Sequence, residues 1–338
     1  MPEISVLMSV YNGEEFIGES IESILNQTYD DFEFIIVNDG STDRTREIIE
    51  SYNDSRIRLF DFEQNQGVGP ALDFGLSKVN GKYIAKADSD DIFEPIRFME
   101  QKKFLENNPD IDIVGSFIEF FPHNNKVKKS QRYRTFKSII EKEINSVVHW
   151  QAMRERLYWY CSLTHTTIMG KSKVIKKVGY EDFPMGTDYN LFYKLNKMGY
   201  KMANIDKVLV KMRVSSTSIT ARNNDLFFRK SLYRIKKEEI NNLFEENNEV
   251  YVWGAGSMGQ NLLYALNINN LNIKGFIDSD KKKQDTIIKG KKVFSPELLK
   301  ETEKKPKILV ASQPGKFEIA EYLKDLGYNH LDDFVVYY

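Results

Sequence analysis

The first third of the chain alternates between two hydrophobic periods. Ile4–Val10 is a short apolar run of strand type, and Ile17, Ile21, Ile24 and Leu25 then recur at helical spacing, with Asn12 and Glu15 spaced as a capping box. Phe32–Val37 reads as a second buried strand, closed by the turn residues Asn38, Asp39, Gly40 and Ser41 and followed by a helix carrying Ile48, Ile49 and Tyr52. The unit repeats through Ile57–Phe60, a helix over Ala71–Leu76 and a strand at Tyr83–Ala87. Such alternation predicts an α/β fold, a mostly parallel sheet with helices on both faces and ligands bound beyond the carboxyl ends of the strands. Asp39 and Asp88 both fall at such ends.

From Ile111 the pattern loosens. Ile111, Ile113 and Ile118–Phe121 suggest strands, Lys126–Lys137 a basic loop or helix start, and Thr164–Met169 a further strand. Asp188 opens a helix with Leu191, Leu195 and Met198 on one side, ended by Gly199, and Val208–Val214 is the last strand of this region. The polar stretch Ser215–Asn224 leads out, and residues 225–247 read as one amphipathic helix. Alternation then restarts, with Val250–Trp253, a Gly-rich turn, a helix through Leu262, Leu263 and Leu266, and strands at Ile273–Ile277 and Lys307–Ala311. The resulting division is a first domain over 1–222, a helical linker over 223–247 and a smaller α/β domain over 248–338.

At 338 residues the chain is long enough for about two domains with cores of their own. Its 48 Lys and Arg stand against 49 Asp and Glu, a balance that argues against a general nucleic-acid binder and leaves any anionic partner to a local site. Cys161 has no second cysteine to pair with, and Met1–Val10 runs into a strand without a basic, apolar and cleavage-site series, so the expected compartment is the cytoplasm. No run approaches the roughly 20 apolar residues that cross a bilayer, which restricts membrane contact to the periphery.

The sharpest chemical feature is Asp88-Ser89-Asp90-Asp91, directly after the strand at Lys82–Ala87. Carboxylates crowded at a strand end repel one another, and a divalent cation is the usual reason for such a cluster to persist. Mg²⁺ or Mn²⁺ takes one or two protein carboxylates and keeps positions for substrate phosphates, which suits a diphosphate-bearing donor. The competing reading of Asp91, ahead of Glu94 and Pro95, is a helix N-cap.

Residues 4 to about 220 resemble the family 2 inverting glycosyltransferases of the GT-A fold. The resemblance rests on S-V-Y-N-G-E-E-F-I from Ser9, I-L-N-Q-T-Y from Ile24, V-N-D-G-S-T-D from Val37, G-K-Y-I-A-K-A-D-S-D-D from Gly81 and T-D-Y-N-L from Thr187. It implies transfer of a sugar from a nucleotide-diphosphate donor to an acceptor hydroxyl of a glycan or lipid-linked molecule, in bacterial surface glycan synthesis, by a chain in the cytoplasm or at the inner face of the membrane. Carried over residue by residue, it gives Asp39 as the nucleobase carboxylate, Ser9 and Tyr11 as the wall of the base and ribose, and Asp88 and Asp90 as metal and ribose carboxylates. Asp188 becomes the catalytic base, and His165 and Arg213 neighbours of the donor diphosphate. A turn role for Asp39 and simple packing for Tyr11 stay open beside these. Thr187 stands where many relatives have Glu, and Leu72-Asp73 where many have a basic residue and Asn; Lys86 is a candidate for the missing positive charge at the donor site. A sugar nucleotidyltransferase is disfavoured because the loop after the first strand carries Glu14 and Glu15 rather than basic residues, and a nucleotide-sugar-binding scaffold is the reading from outside catalysis.

Gly254-Ala255-Gly256-Ser257-Met258-Gly259 follows a strand and opens a helix, with Asp278 ending the next strand. Bare glycines admit a diphosphate to a helix N-terminus and the acid suits a ribose, so Gly254, Gly256, Gly259 and Asp278 form a candidate second nucleotide site. The segment resembles Rossmann-like domains appended to bacterial transferases, for which packing or homo-oligomerisation is favoured over a bound nucleotide. Lys126, Lys128, Lys129, Arg132, Arg134 and Lys137 form a basic run without acids, either a solvated face or a contact with an anionic leaflet.

Overall fold

The computed structural model describes residues 1–183, 185–215, 225–245, 248–302, 304–312 and 315–337, with the side chains of 225–229 left out. The chain divides into two compact units, Met1–Asn223 and Asn224–Tyr338.

The first unit opens with β1 (Ile4–Val10), α1 (Ile17–Leu25), β2 (Phe32–Asn38), α2 (Thr45–Glu50), β3 (Ile57–Asp61), α3 (Val68–Lys78) and β4 (Tyr83–Lys86). It continues with β5 (Ile92–Phe93), α4 (Arg97–Asn107), β6 (Ile113–Pro122), three short helices, α5 (Asn125–Lys128), α6 (Gln131–Thr135) and α7 (Glu141–Ile144), then α8 (Trp150–Trp159), β7 (Met169–Lys171), α9 (Ser172–Val178), α10 (Thr187–Lys197) and β8 (Met202–Val214). Among the described residues the strands form one sheet in the order β3-β2-β1-β4-β7-β6-β8-β5. Strands β3, β2, β1 and β4 run parallel, β7 is antiparallel to β4 and β6, and β5 is antiparallel to β8.

Period-two alternation sorts the core. Val6, Met8, Phe34 and Ile36 face one layer with α1 and α4, while Leu7, Ile35, Val37 and Ile84 face the other with α3, α9 and α10. Because β1, β2 and β4 are parallel, Val10 pairs with Asn38 and Leu7 with Lys86, so their carboxyl ends open on one edge of the sheet. The loops leaving those ends carry Tyr11, Asp39 and Asp88.

Local chemistry moves several elements away from their predicted places. Asn12 does not cap α1: it adopts φ +51° and accepts at Oδ1 from the Thr42 N–H at 2.8 Å, while Glu15 meets His123 at 2.9 Å. The strand expected over Thr164–Met169 begins only at Met169, because the Thr164 carbonyl takes both the amide and the hydroxyl of Thr167 and winds His165–Thr167 into a 3₁₀ turn. No helix starts at Asp91, whose Oδ1 accepts from the Arg213 backbone N–H at 3.0 Å. Ile113–Pro122 is one continuous strand, and Lys126–Lys137 is wound into α5, α6 and the start of a π-helical turn at Phe136–Ile140.

In the second unit, α11 (Asp225–Ile235) and α12 (Lys237–Leu243) stand in place of one long helix. After them come β9 (Val250–Trp253), α13 (Ser257–Ile268), β10 (Gly275–Ile277), β11 (Ile287–Ile288), β12 (Lys291–Phe294), α14 (Leu298–Glu301), β13 (Lys307–Val310), α15 (Lys316–Asp325) and β14 (Phe334–Val336). The sheet order is β11-β12-β10-β9-β13-β14, parallel except at the β11–β12 hairpin. Residues 216–224, the polar way out of the first unit, lie outside the described residues. Among those described, no helix is long and apolar enough to cross a membrane.

Gly115 on β6 is where the sheet presses on the His165–Thr167 turn: a Cβ there would lie 2.3 Å from Asn204 Oδ1 and 2.9 Å from Thr167 Oγ1. Gly115→Ala is expected to destabilise the first unit by about 1–3 kcal/mol through overpacking, read as a lower melting temperature with secondary structure retained by circular dichroism.

Candidate active site

The loops at the ends of β1 and β2 are stitched together by short polar side chains. Asn12 N donates to Ser41 Oγ at 2.9 Å and Gly13 N to Thr45 Oγ1 at 2.8 Å. Ser9 is half-buried at the end of β1, and Tyr11 projects beyond it at 50% exposure. Asp39 is buried: its Oδ1 accepts from Gln66 N at 2.8 Å, and its Oδ2 from Gly67 N at 2.9 Å and Asn65 Nδ2 at 3.0 Å. Burial raises its carboxyl above the ordinary range despite the two amides. Three of its roughly four acceptor positions are thus spent holding the 65–67 loop, leaving about one for a further donor. Gly40 follows at φ +70°, where a Cβ would lie 2.5 Å from the Gln64 carbonyl carbon, so the turn requires glycine.

At the end of β4 the acidic turn rests on buried cations. Lys86 is 1% exposed and donates from Nζ to the Ala87 carbonyl at 2.6 Å and to Asp88 Oδ1. Burial alone would raise Asp88, but nearby positive charge, Lys86 foremost, holds it below the ordinary range. Asp90 goes the other way: burial and then the Asp88 charge push it up to about 6. Asp91 is raised further by burial, Asp90 and Asp88. Arg97 is fully buried beneath the turn, donating to the carbonyls of Lys86 at 2.7 Å and Ile168 at 3.1 Å, and burial lowers it to about 9.

Arg213 closes the other side. Its guanidinium lies between the rings of Phe16 and Phe121 at 4.5 and 4.6 Å, donates from Nε to the Asp90 carbonyl at 3.0 Å and pairs with Glu19 at 2.8 Å. The structure therefore places Arg213 under the acidic turn as a brace.

Across from the turn, Asp188 is the second residue of α10, which follows Gly186 at φ +84°. Burial raises its carboxyl, the Tyr189 amide opposes this, and the Asp88 charge adds to it, so the two carboxylates share one electrostatic site. Cys161 Sγ lies 4.0 Å from Asp188 Oδ2 and 3.3 Å from the Leu163 carbonyl, and burial, then Asp188, pushes the thiol well up. His165 Nε2 is 2.9 Å from the Tyr180 hydroxyl; burial and Lys86 lower the imidazole to about 3, so it is neutral near pH 7. Tyr180 is held in turn by its own N–H, which donates to Asp73 Oδ1 at 3.0 Å. Asp73 thus anchors the loop behind His165, and Leu72 beside it is core.

The structure brings Lys86, Asp88, His165 and Asp188 into one constellation, with Ser9, Tyr11 and Asp39 on the same sheet edge and Arg213 behind it. Trp159 and Tyr160 are buried, and Trp150 packs against the core under Lys201. Sequence reasoning missed Arg97, whose role arises only when β4, β7 and α4 meet, and Tyr180, whose role arises only when its loop reaches Asp73 on α3. Among the described residues, no group of three His, Cys, Asp or Glu is arranged to hold a metal ion. Asp88 and Asp90 on one turn, one held ionised and the other raised by its neighbour, fit an ion that takes two protein oxygens and completes its shell from water and phosphate.

In the second unit, a Cβ on Gly254 would meet the Ala311 carbonyl at 2.4 Å and one on Gly259 the Gly254 carbonyl at 1.8 Å, so both glycines serve packing, while Gly256 faces open space. Asp278 Oδ2 accepts from Ala255 N at 2.9 Å and from Lys283 at 3.0 Å, and Oδ1 from Asp280 N at 2.9 Å. The acid ties down the glycine turn.

The model of glycosyl transferase family 2 matches residues 5–179, and a second, described as C2185-like, N-terminal, matches residues 246–331. The glycosyltransferase MJ1057 of Methanocaldococcus jannaschii is 34% identical over 267 residues, 75% of this chain and 84% of the relative. The amylovoran biosynthesis glycosyltransferase AmsE of Erwinia amylovora is 27% identical over 238 residues, 69% of this chain and 85% of its own. Among solved structures, S. aureus TarS 1-349 superposes with a TM-score of 0.54 at 20% identity, over 71% of this chain and 66% of TarS. Mannosyltransferase PcManGT from Pyrobaculum calidifontis, in complex with GDP-Man and Mn²⁺, gives 0.54 at 19% identity, over 71% and 64%. At that identity the likeness shows a shared fold.

The raised Asp90 carboxyl sets a pH dependence. Between the ordinary 3.8 and about 6 the folded chain holds this proton more tightly than the unfolded one, so folding weakens across that window as pH rises. In metal-free buffer, the melting temperature of Asp90→Asn minus that of the parent should grow from pH 3.8 to about 6 and be flat above it.

Proposed function

Because the chain belongs to glycosyl transferase family 2, we propose that the constellation at the ends of β1, β2 and β4 transfers a sugar from a nucleotide-diphosphate donor to an acceptor hydroxyl, with inversion and with Mg²⁺ or Mn²⁺. The observation that carries this reading is that the Asp88 charge bears on Asp188 across the site, adding to the burial that raises the Asp188 carboxyl. Donor binding and proton removal would meet there.

Tyr11 and Ser9 would flank the base and ribose, and Asp39 would offer its remaining acceptor position to the base while keeping the 65–67 loop in place. Asp88 and Asp90 would hold the divalent ion, which when bound supplies positive charge opposite the departing diphosphate. Lys86 keeps Asp88 ionised for that purpose, and Arg213 keeps the turn in shape. His165, neutral and oriented by Tyr180, would present a hydrogen bond to the donor without repelling the ion. Single displacement needs one base on the acceptor side, and Asp188 at the mouth of α10 suits it: burial raises its proton affinity toward what a general base requires. That GDP-Man and Mn²⁺ occupy PcManGT, and UDP-GlcNAc occupies TarS, supports a nucleotide-sugar donor here. We extend the reading to bacterial surface glycans, with a glycan or lipid-linked acceptor.

Asp188→Asn tests the assignment. Supplied with UDP-GlcNAc, GDP-mannose and CDP- and dTDP-sugars plus Mn²⁺, the parent should release free nucleoside diphosphate. The variant should lose about 10²–10⁴-fold in rate while binding the same donor with unchanged affinity by calorimetry. Release of a nucleoside monophosphate with a sugar phosphate instead, or an unaffected rate in Asp188→Asn, contradicts the reading.

A further inference from the structure

Charged residues make up 29% of the chain, yet Val250–Ile273 contains no Asp, Glu, Lys or Arg. Much of that stretch is core, but α13 also turns a face outward. Gly259, Leu262, Leu263 and Leu266 are buried, while Gln260, Asn261, Tyr264 and Asn267 recur at spacings of one to four residues on the other side. An exposed helical face is ordinarily where charge collects. This one carries amides and a phenol instead.

The same face lines a cleft of about 790 Å³, formed by Ser257, Gln260, Asn261, Tyr264 and Asn267, with Leu263 reaching its floor and Lys289 entering from the turn between β11 and β12. Tyr264 is 53% exposed, with its ring presented to the cleft. Gln260 spends its Nε2 on the Ala255 carbonyl at 3.0 Å and keeps its Oε1 as an acceptor. Among the described residues the side chains of Asn261 and Asn267 have no hydrogen-bond partner, so each offers both a donor and an acceptor. Among the described residues, no carboxylate lines the cleft.

Each part of this lining answers a property of one ligand class. Vicinal hydroxyls are donors and acceptors at once and pair with side-chain amides, which are the same. The C–H face of a pyranose is apolar and packs on an aromatic ring. A neutral polyol needs no counter-charge and would pay heavily for a desolvated carboxylate. We propose that this cleft of the second unit binds a neutral glycan chain, with Tyr264 as the stacking platform and Asn261 and Asn267 as its hydrogen-bonding arms. The glycine turn and Asp278, already tied to each other, play no part in it. That the bound chain is the acceptor or product of transfer rests on the reading of the first unit; the ligand class itself rests on the cleft.

The test uses the full chain and four neutral probes: cellohexaose, maltohexaose, chitohexaose and mannohexaose, by calorimetry and by saturation-transfer NMR. At least one should bind. Tyr264→Ala should weaken it at least tenfold, Tyr264→Phe should retain it, and Asn261→Ala should weaken it without altering the melting temperature. Asp188→Asn should bind the same probe as the parent does, with or without added UDP or GDP, so the result stands whatever becomes of the transferase reading. Failure of all four probes to bind, or binding that survives Tyr264→Ala, overturns the proposal. So does a concentration-dependent dimer that Tyr264→Glu dissolves, since the face would then belong to a second copy of the chain.

Discussion

The structure of the first unit is organised around a problem of charge. Asp88, Asp90 and Asp91 occupy four consecutive positions with Ser89 at the end of a buried strand, the first three positions half-buried and Asp91 buried, and the charges of Asp88 and then Asp90 add to burial in raising the carboxyls that follow them. Left alone, such a turn would unfold or neutralise itself. It is held by cations that reach it from separate elements: Lys86 from the strand that delivers it, Arg97 from the first turn of α4, Arg213 from the far end of β8. None neutralises the cluster fully. Asp88 is held ionised, and Asp90 is left poised near 6, which is the condition in which a divalent ion gains most by arriving.

The same braces fix the geometry of the other participants. Arg97 and Gln101 hold the backbone of the turn that carries His165, through the carbonyls of Ile168 and Thr167. His165 is oriented by Tyr180, and Tyr180 by Asp73 on α3, whose first turn follows the loop that Asp39 holds. The acidic turn, the turn that carries His165 and the loop that Asp39 holds are therefore linked through these side chains and the backbone of α3. A substitution at a buried member of this linkage reaches the others.

Much of this was legible in the amino-acid sequence. The period-two and period-3.6 runs up to Ala87 mark β1 to β4 and the helices between them, because β1, β2 and β4 are buried on both faces and each helix buries one. The acidic turn stood out by composition alone. The reading failed where side chains compete with the backbone: Thr164 and Thr167 look like strand residues and wind a turn, and Asn12, spaced as a cap, reaches across to Thr42. Asp278 looked free for a ribose and is spent on Ala255 and Lys283. Arg97 gives no signal in a sequence, since an Arg in a polar helix is ordinarily solvated; its burial follows only from where β4, β7 and α4 meet.

The central claim is that the end of β4 and the ends of β1 and β2 form one metal-assisted nucleotide site. The most direct measurement is the thermal shift of the intact chain with UDP, GDP, CDP and dTDP, each with and without Mn²⁺, for the parent and for the Asp88→Ala, Asp90→Ala double variant. The account predicts a rise with one nucleotide that requires Mn²⁺ and disappears in the variant. A rise with none of them, or one that persists undiminished in the variant, contradicts it.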